Sequence, residues 1–222
     1  MIAHEIYRHS RYGDAHPLSI PRVSTCVDLC RALGWLPDDA YRESPKATPE
    51  QLARFHDRDY LAALLTAERD GALPWALEER YRLNRDANPI FPEVFSRPAT
   101  ACGSGLLAVD LLRDGGTVHS PAGGTHHGRP DRASGFCYLN DPVIALFGFL
   151  DSGLRRVLYV DLDAHRGDGV EDAFAGDPRV LTISIHEAGR WPGGGDAGWS
   201  AGGDALNLPL PPGAGDADLA YA

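Results

Sequence analysis

Positive charge is in short supply in this chain: 21 Lys and Arg face 31 Asp and Glu, a formal net charge of -10. That balance repels a phosphate backbone, so no direct nucleic-acid binding is expected, and basic or neutral partners fit better. No stretch reaches the roughly 18 apolar residues that a membrane-spanning helix needs, and no membrane role is expected. Met1 to Ser10 carries charges where a secretory signal has its apolar core. The cytoplasm is the expected compartment. Cysteine is scarce as well. Cys26, Cys30, Cys102 and Cys137 show no paired zinc-ribbon spacing, and Cys26 and Cys30 lie one helical turn apart, so all four read as reduced core thiols. Internal repeats are absent.

What remains is an ordinary globular composition, 43% hydrophobic over 222 residues, enough for a sizeable core and one domain across 1–222. Pro21-Arg22 opens a predicted helix that runs through Leu33 and closes at Gly34, and Thr48-Pro49-Glu50-Gln51 is a capping-box start. A helix of small residues, about Arg97 to Arg113, ends at Gly115-Gly116 and should pack closely on its neighbour. A short strand near Thr117 to Ser120 follows, then a helix begun by Asn140-Asp141-Pro142. The strand at Val157, a helix near Val170 to Phe174 and the strand Val180 to Ile185 complete an alternation that implies a parallel α/β sheet. The Gly-rich run Trp191 to Asp204 reads as a long loop.

The most informative segment is Val157 to Gly169, where an apolar strand runs into Asp161, Asp163, His165 and Asp168. Alternation along an extended chain would put Asp161, Asp163 and His165 on one side, converging on a cation. Imidazole beside carboxylate suits zinc or a similar first-row ion, whereas calcium asks for oxygen throughout. A second cluster, Gly123-Gly124-Thr125-His126-His127-Gly128, sets adjacent imidazoles in a glycine-flanked loop ahead of Ser134-Gly135-Phe136-Cys137-Tyr138. Asp161 and Asp168 could serve the two histidines, since a carboxylate accepting from one ring nitrogen raises the basicity of the other. A bound-water activator with a poised base makes a hydrolase, and Gly135-Phe136 offers a smooth apolar wall. Singly these signals are weak: a His-His pair is more often structural, and an Asp-x-Asp at a strand end is more often a helix cap or surface acid. Together they are strong, because three neighbouring acids repel unless something cationic or hydrogen-bonding stabilises them.

These residues resemble the histone deacetylase family, including the bacterial acetoin-utilization deacetylases and acetylpolyamine amidohydrolases. The likeness begins at His16-Pro17 and Pro21-Arg22, continues through Phe55-His56 and Tyr60, and is most specific over Gly123 to Asp141 and Arg156 to Glu187. It implies an arginase-like three-layer α/β/α fold with a central parallel sheet and one catalytic Zn2+ that hydrolyses an N-acetyl amide to acetate and amine. By position, the resemblance makes Asp163 and His165 zinc ligands, His127 with Asp168 the general base and acid, and His126 with Asp161 an electrostatic partner. It makes Gly135, Phe136 and Trp191 the channel wall, and Arg22 a residue of the acetate exit. The backbone carbonyls of Asp161, Asp163 and His165, with Ser184, match the family's monovalent-cation site for K+.

Three departures accompany the likeness. Relatives supply a third zinc ligand, an aspartate, and an oxyanion-stabilising tyrosine from regions beyond Ala222, so the chain is expected to be C-terminally incomplete, and Asp216, Asp218 and Tyr221 are poor substitutes. Loss of such an oxyanion donor typically removes about 100- to 1000-fold in rate, which leaves room for a chain inactive by itself. Arg166 replaces a histidine usual after the ligand histidine, and Asn88 stands where many relatives have an aspartate that grips substrate backbone. Two alternatives stay open: a ureohydrolase of the arginase type with two manganese ions, and a non-catalytic acyl-binding remnant. Acetyl-lysine protein, acetylated polyamine and small acylated metabolites all fit as substrates, and the acidic surface favours cationic ones.

Overall fold

Thr48 Oγ1 accepts the Gln51 amide at 3.3 Å while Gln51 Oε1 accepts the Thr48 amide at 2.9 Å, the reciprocal cap that the sequence predicts. The computed structural model describes residues 1–13, 16–200 and 204–222. In chain order its elements are β1 (Ile2–Ala3), α1 (Ile6–His9), α2 (Arg22–Ala32), β2 (Arg42–Glu43), α3 (Pro49–Leu52), α4 (Arg58–Asp70), α5 (Trp75–Tyr81), α6 (Ser96–Leu111), α7 (Asp141–Asp151), β3 (Val157–Asp161), α8 (Asp168–Ala173), β4 (Val180–Glu187), β5 (Gly198–Ser200), β6 (Ala205–Leu210) and α9 (Asp216–Tyr221). The predicted strand near Thr117 to Ser120 is not one: the segment has no ladder, and its His119 carbonyl accepts the Ile2 amide at 2.8 Å. No described helix is long and apolar enough to cross a membrane.

The chain divides into two compact units, Met1–Gly148 and Phe149–Ala222. In the first, α4 buries Tyr60, Leu61, Leu64 and Ala67 in one cluster with Tyr81, Leu83, Val94, Phe95, Ala99 and Cys102. Tyr60, wholly buried, is tolerated because its hydroxyl donates to the Tyr138 carbonyl at 2.8 Å. The small residues of α6 do what the sequence implies: a Cβ on Gly103 would collide with the Pro45 carbonyl, and one on Gly105 would stand 3.0 Å from Ala145 Cβ. Bulkier side chains would force these backbones apart.

The second unit carries a four-stranded sheet in the order β3-β4-β6-β5. The first three strands are parallel, as expected, and β5 pairs antiparallel with β6, so part of the Gly-rich run is a strand rather than loop. In register, Asp161 lies beside Ser184 and Ser184 beside Asn207. All three are buried, as are Thr182 and His186 on β4, so this sheet hides a polar row. The alternate residues are the apolar ones, and on β3 they are exposed: Leu158 by 56%, Val160 by 48%, with Leu162 just beyond at 61%. Burying a polar row is costly unless its groups are hydrogen-bonded, and Ser184 meets that demand through the Gly167 amide and His186.

Candidate functional site

In the Met1–Gly148 unit, the histidine loop hangs from the start of α7. Asn140, fully buried, accepts the Val143 amide at 3.0 Å as the helix cap, and its Nδ2 donates to the carbonyls of His126 at 3.1 Å and Gly128 at 3.0 Å. Asp141 accepts the amides of Gly124 at 3.0 Å and Thr125 at 2.8 Å, and also the Thr125 hydroxyl. Burial pushes its carboxyl above the usual range, against the lowering by these donors. A Cβ on Gly128 would stand 2.9 Å from the Asn140 nitrogen and the Leu139 carbonyl carbon, so the chain can pass only as glycine. Held this way, His126 and His127 are both buried, with ring centroids 3.9 Å apart. His56 braces the same turn: its Nδ1 donates to the Arg129 carbonyl at 3.0 Å and its Nε2 accepts the Asn140 amide at 3.0 Å. That pattern assigns a neutral ring, and burial holds its pKa down at about 4.

Gly135 and Phe136 sit at the tip of a tight turn in which Ser134 and Cys137 exchange both backbone hydrogen bonds, at 3.1 and 2.9 Å. Their φ values, 53° and 67°, are both left-handed, as a two-residue turn of this hand demands. For glycine that is free, whereas for phenylalanine it is strained and must be held. Asn88 holds it, accepting the Phe136 amide at 2.9 Å while donating to the Arg82 carbonyl at 3.1 Å. The Phe136 ring stands edge-on to His16, with centroids 4.6 Å apart. Arg22 is exposed at the first residue of α2.

In the Phe149–Ala222 unit, the acidic run departs from the strand alternation expected of it. β3 ends at Asp161, and each acid then caps the chain two residues on: Asp161 Oδ1 accepts the Asp163 amide at 3.0 Å, and Asp163 Oδ1 accepts the His165 amide at 2.8 Å. Successive Asx-type turns, not pleat, therefore order these side chains. Asp161 is buried, its Oδ2 accepting the Tyr159 hydroxyl at 2.6 Å, and a Cβ on Gly167 would strike that oxygen. Asp163 and His165 are half exposed, with Oδ1 and Nδ1 2.9 Å apart. Asp168 opens α8 and is buried. Ser184 Oγ accepts the Gly167 amide at 3.3 Å and lies 3.0 Å from His186 Nδ1. Trp191 is half exposed and its ring is edge-on to His165 at 6.2 Å.

The adjacent carboxylate oxygen and imidazole nitrogen of Asp163 and His165 suit zinc in type. Among the described residues no group of three or more candidate ligands gathers, so the pair falls short in number. Asp161, Asp163, His165, Asp168, Ser184 and Trp191 belong to one unit and His126, His127, Gly135, Phe136 and Arg22 to the other. Sequence pattern carries no signal for the scaffolding: His56, Asn140 and Asp141 stand in it as motif letters or a helix start, yet their side chains hold the histidine loop. Asn88, which stands where many relatives have a substrate-gripping acid, is committed at both ends of its carboxamide, its oxygen to the Phe136 amide and its nitrogen to the Arg82 carbonyl.

Residues 16–222 match the model of the histone deacetylase domain. The acetoin utilization protein AcuC of Bacillus subtilis (strain 168) is 35% identical over 212 residues, 92% of this chain and 54% of that protein. Histone deacetylase 8 of Xenopus tropicalis is 40% identical over 185 residues, 80% of this chain and 49% of that one. The chain thus spans about half the length of the curated relatives it matches. The crystal structure of an HDAC homolog from Aquifex aeolicus superposes with a TM-score of 0.93 at 35% identity, covering 99% of this chain and 61% of that one. A structure of an HDAC homolog complexed with SAHA matches equally well.

Proposed function

Because the chain belongs to the histone deacetylase family, with its arginase-like α/β fold, we propose that the protein hydrolyses an N-acetyl amide on an aliphatic stem to acetate and an amine. The relay from Asp161 through Asp163 to His165 at the carboxyl end of a parallel strand carries this proposal, since α/β sheets gather their ligands there. Asp163 and His165 would hold a zinc ion, which when bound supplies polarisation of the acetyl carbonyl and acidification of water. His127 takes a proton at an imidazole nitrogen as the tetrahedral centre forms and returns one to the departing amine. His126 stabilises the charge that develops beside it. The pairings of His127 with Asp168 and of His126 with Asp161 rest on the family motif alone.

Gly135, Phe136 and Trp191 line the path of the acylated stem, Arg22 attends the leaving acetate, and the backbone carbonyls of Asp161, Asp163 and His165 with Ser184 take a potassium ion. Residues 1–222 belong to one deacetylase-like domain that works in the cytoplasm. A relative crystallised with SAHA supports a small-molecule or acetyl-lysine substrate, and the net charge of -10 favours cationic ones. His127→Ala, made in the protein with its natural flanking sequence, should nearly abolish acetate release while zinc content stays unchanged. Retained turnover would remove His127 from the mechanism.

A further inference from the structure

Arg166 follows His165 directly and is largely enclosed, its side chain 19% exposed beside a Glu171 that is 8% exposed. Nε and Nη2 both donate to Glu171 Oε2, at 3.0 and 2.9 Å, and the same oxygen accepts Asn207 Nδ2 at 3.1 Å. With one edge of the planar guanidinium fixed, Nη1 faces the Gly193 carbonyl at 3.5 Å. The next two residues lie on the same side chain. A Cβ on Gly194 would stand 2.7 Å from Nη1, and one on Gly195 would stand 2.7 Å from Cδ and 2.8 Å from the buried Nε2 of His186. Gly193, Gly194 and Gly195 have φ of 82°, 72° and 67°, a left-handed run that other residues resist. Trp191 precedes this run by two residues, with its ring edge-on to His165.

We propose that Arg166 is a positioning residue: braced by Glu171, it seats the Gly193–Gly195 backbone and thereby sets the Trp191 wall, governing grip on the acyl stem rather than the chemical step. This rests on the deacetylase reading for its substrate and on geometry alone for the clamp. An enclosed ion pair contributes little net stability over an apolar pair, so stability does not explain the arginine. Its second edge does, because only a guanidinium offers donors in two directions from one rigid plane.

The test uses the protein with its natural flanking sequence and an N-acetyl-lysine peptide as substrate. Arg166→Gln should speed hydrogen exchange at the amides of residues 190–196 and raise KM roughly tenfold, with kcat changed by less than about twofold. Arg166→Lys keeps a charge for Glu171 and loses the second edge, so it should fail to restore either property. Full rescue by lysine, or unchanged exchange in the glutamine variant, overturns the clamp. Faster exchange with an unmoved KM overturns its role in grip. Should Arg166→Gln not fold, Gly194→Ala lifts the backbone from an intact Arg166–Glu171 pair and must raise KM likewise; an unmoved KM there overturns the proposal. Exchange is read without turnover, so an unmodified protein inert toward every N-acetyl amide overturns the deacetylase reading, while the clamp is judged on exchange.

Discussion

The Asn88 carboxamide oxygen accepts the Phe136 amide at 2.9 Å, and through that bond a buried side chain holds a phenylalanine in left-handed backbone. Asn88→Ala leaves the Phe136 amide and the Arg82 carbonyl without this partner. A loss of about 1–3 kcal/mol in urea unfolding is expected, together with a higher KM as the Phe136 ring leaves its place beside His16. An unchanged unfolding midpoint would show that the turn holds itself.

His56 contributes a pH dependence whose sign follows from burial. Its folded pKa is about 4 against an ordinary 6.5, so between those values the unfolded chain binds a proton that the native one refuses. Stability is therefore complete above pH 6.5 and falls as the pH drops toward 4. That difference corresponds to about 3 kcal/mol. His56→Gln, measured by thermal unfolding from pH 7 to 4, should be less stable at neutral pH and lose less on acidification.

Gly128→Ala would push a methyl group into backbone at Leu139 and Asn140 rather than into a yielding side chain. The expected cost is about 1–3 kcal/mol, and activity should fall further than stability does, because the same backbone orders His126 and His127. Equal behaviour of Gly128→Ala and the unmodified protein in both assays would contradict the packing.

Metal removal separates the two hydrolase families suggested by the sequence. Chelation should abolish deacetylation, and one equivalent of zinc should restore it, as elemental analysis of the reloaded protein would show. Two equivalents of manganese per chain with restored hydrolysis of a guanidino substrate would point to the ureohydrolase alternative instead.

Much of this was legible in the residues. The Thr48 capping box, the close-packed small residues of α6 and the strand–helix alternation after Val157 are local signals, set by neighbours in sequence, and the structure carries them. The Asp161–Asp163–His165 run was legible as chemistry and misread as geometry, because short polar side chains bonding to backbone two residues on override pleat. The roles of Asn88, His56 and Arg166 were not legible. Each bonds across 48, 84 or 27 residues of chain, and pattern reading sees no such distances.

The naked flank of β3 has a practical corollary. Leu158 and Val160, with Leu162 just past the strand's end, form an oily ridge on a strand that ends its sheet, among the described residues, and such a ridge recruits whatever greasy surface it meets. Residues 1–222 in isolation should light up a solvatochromic dye and clump as concentration rises, and lysine at Leu158 and Leu162 should quiet both without unsettling the acids one pleat away.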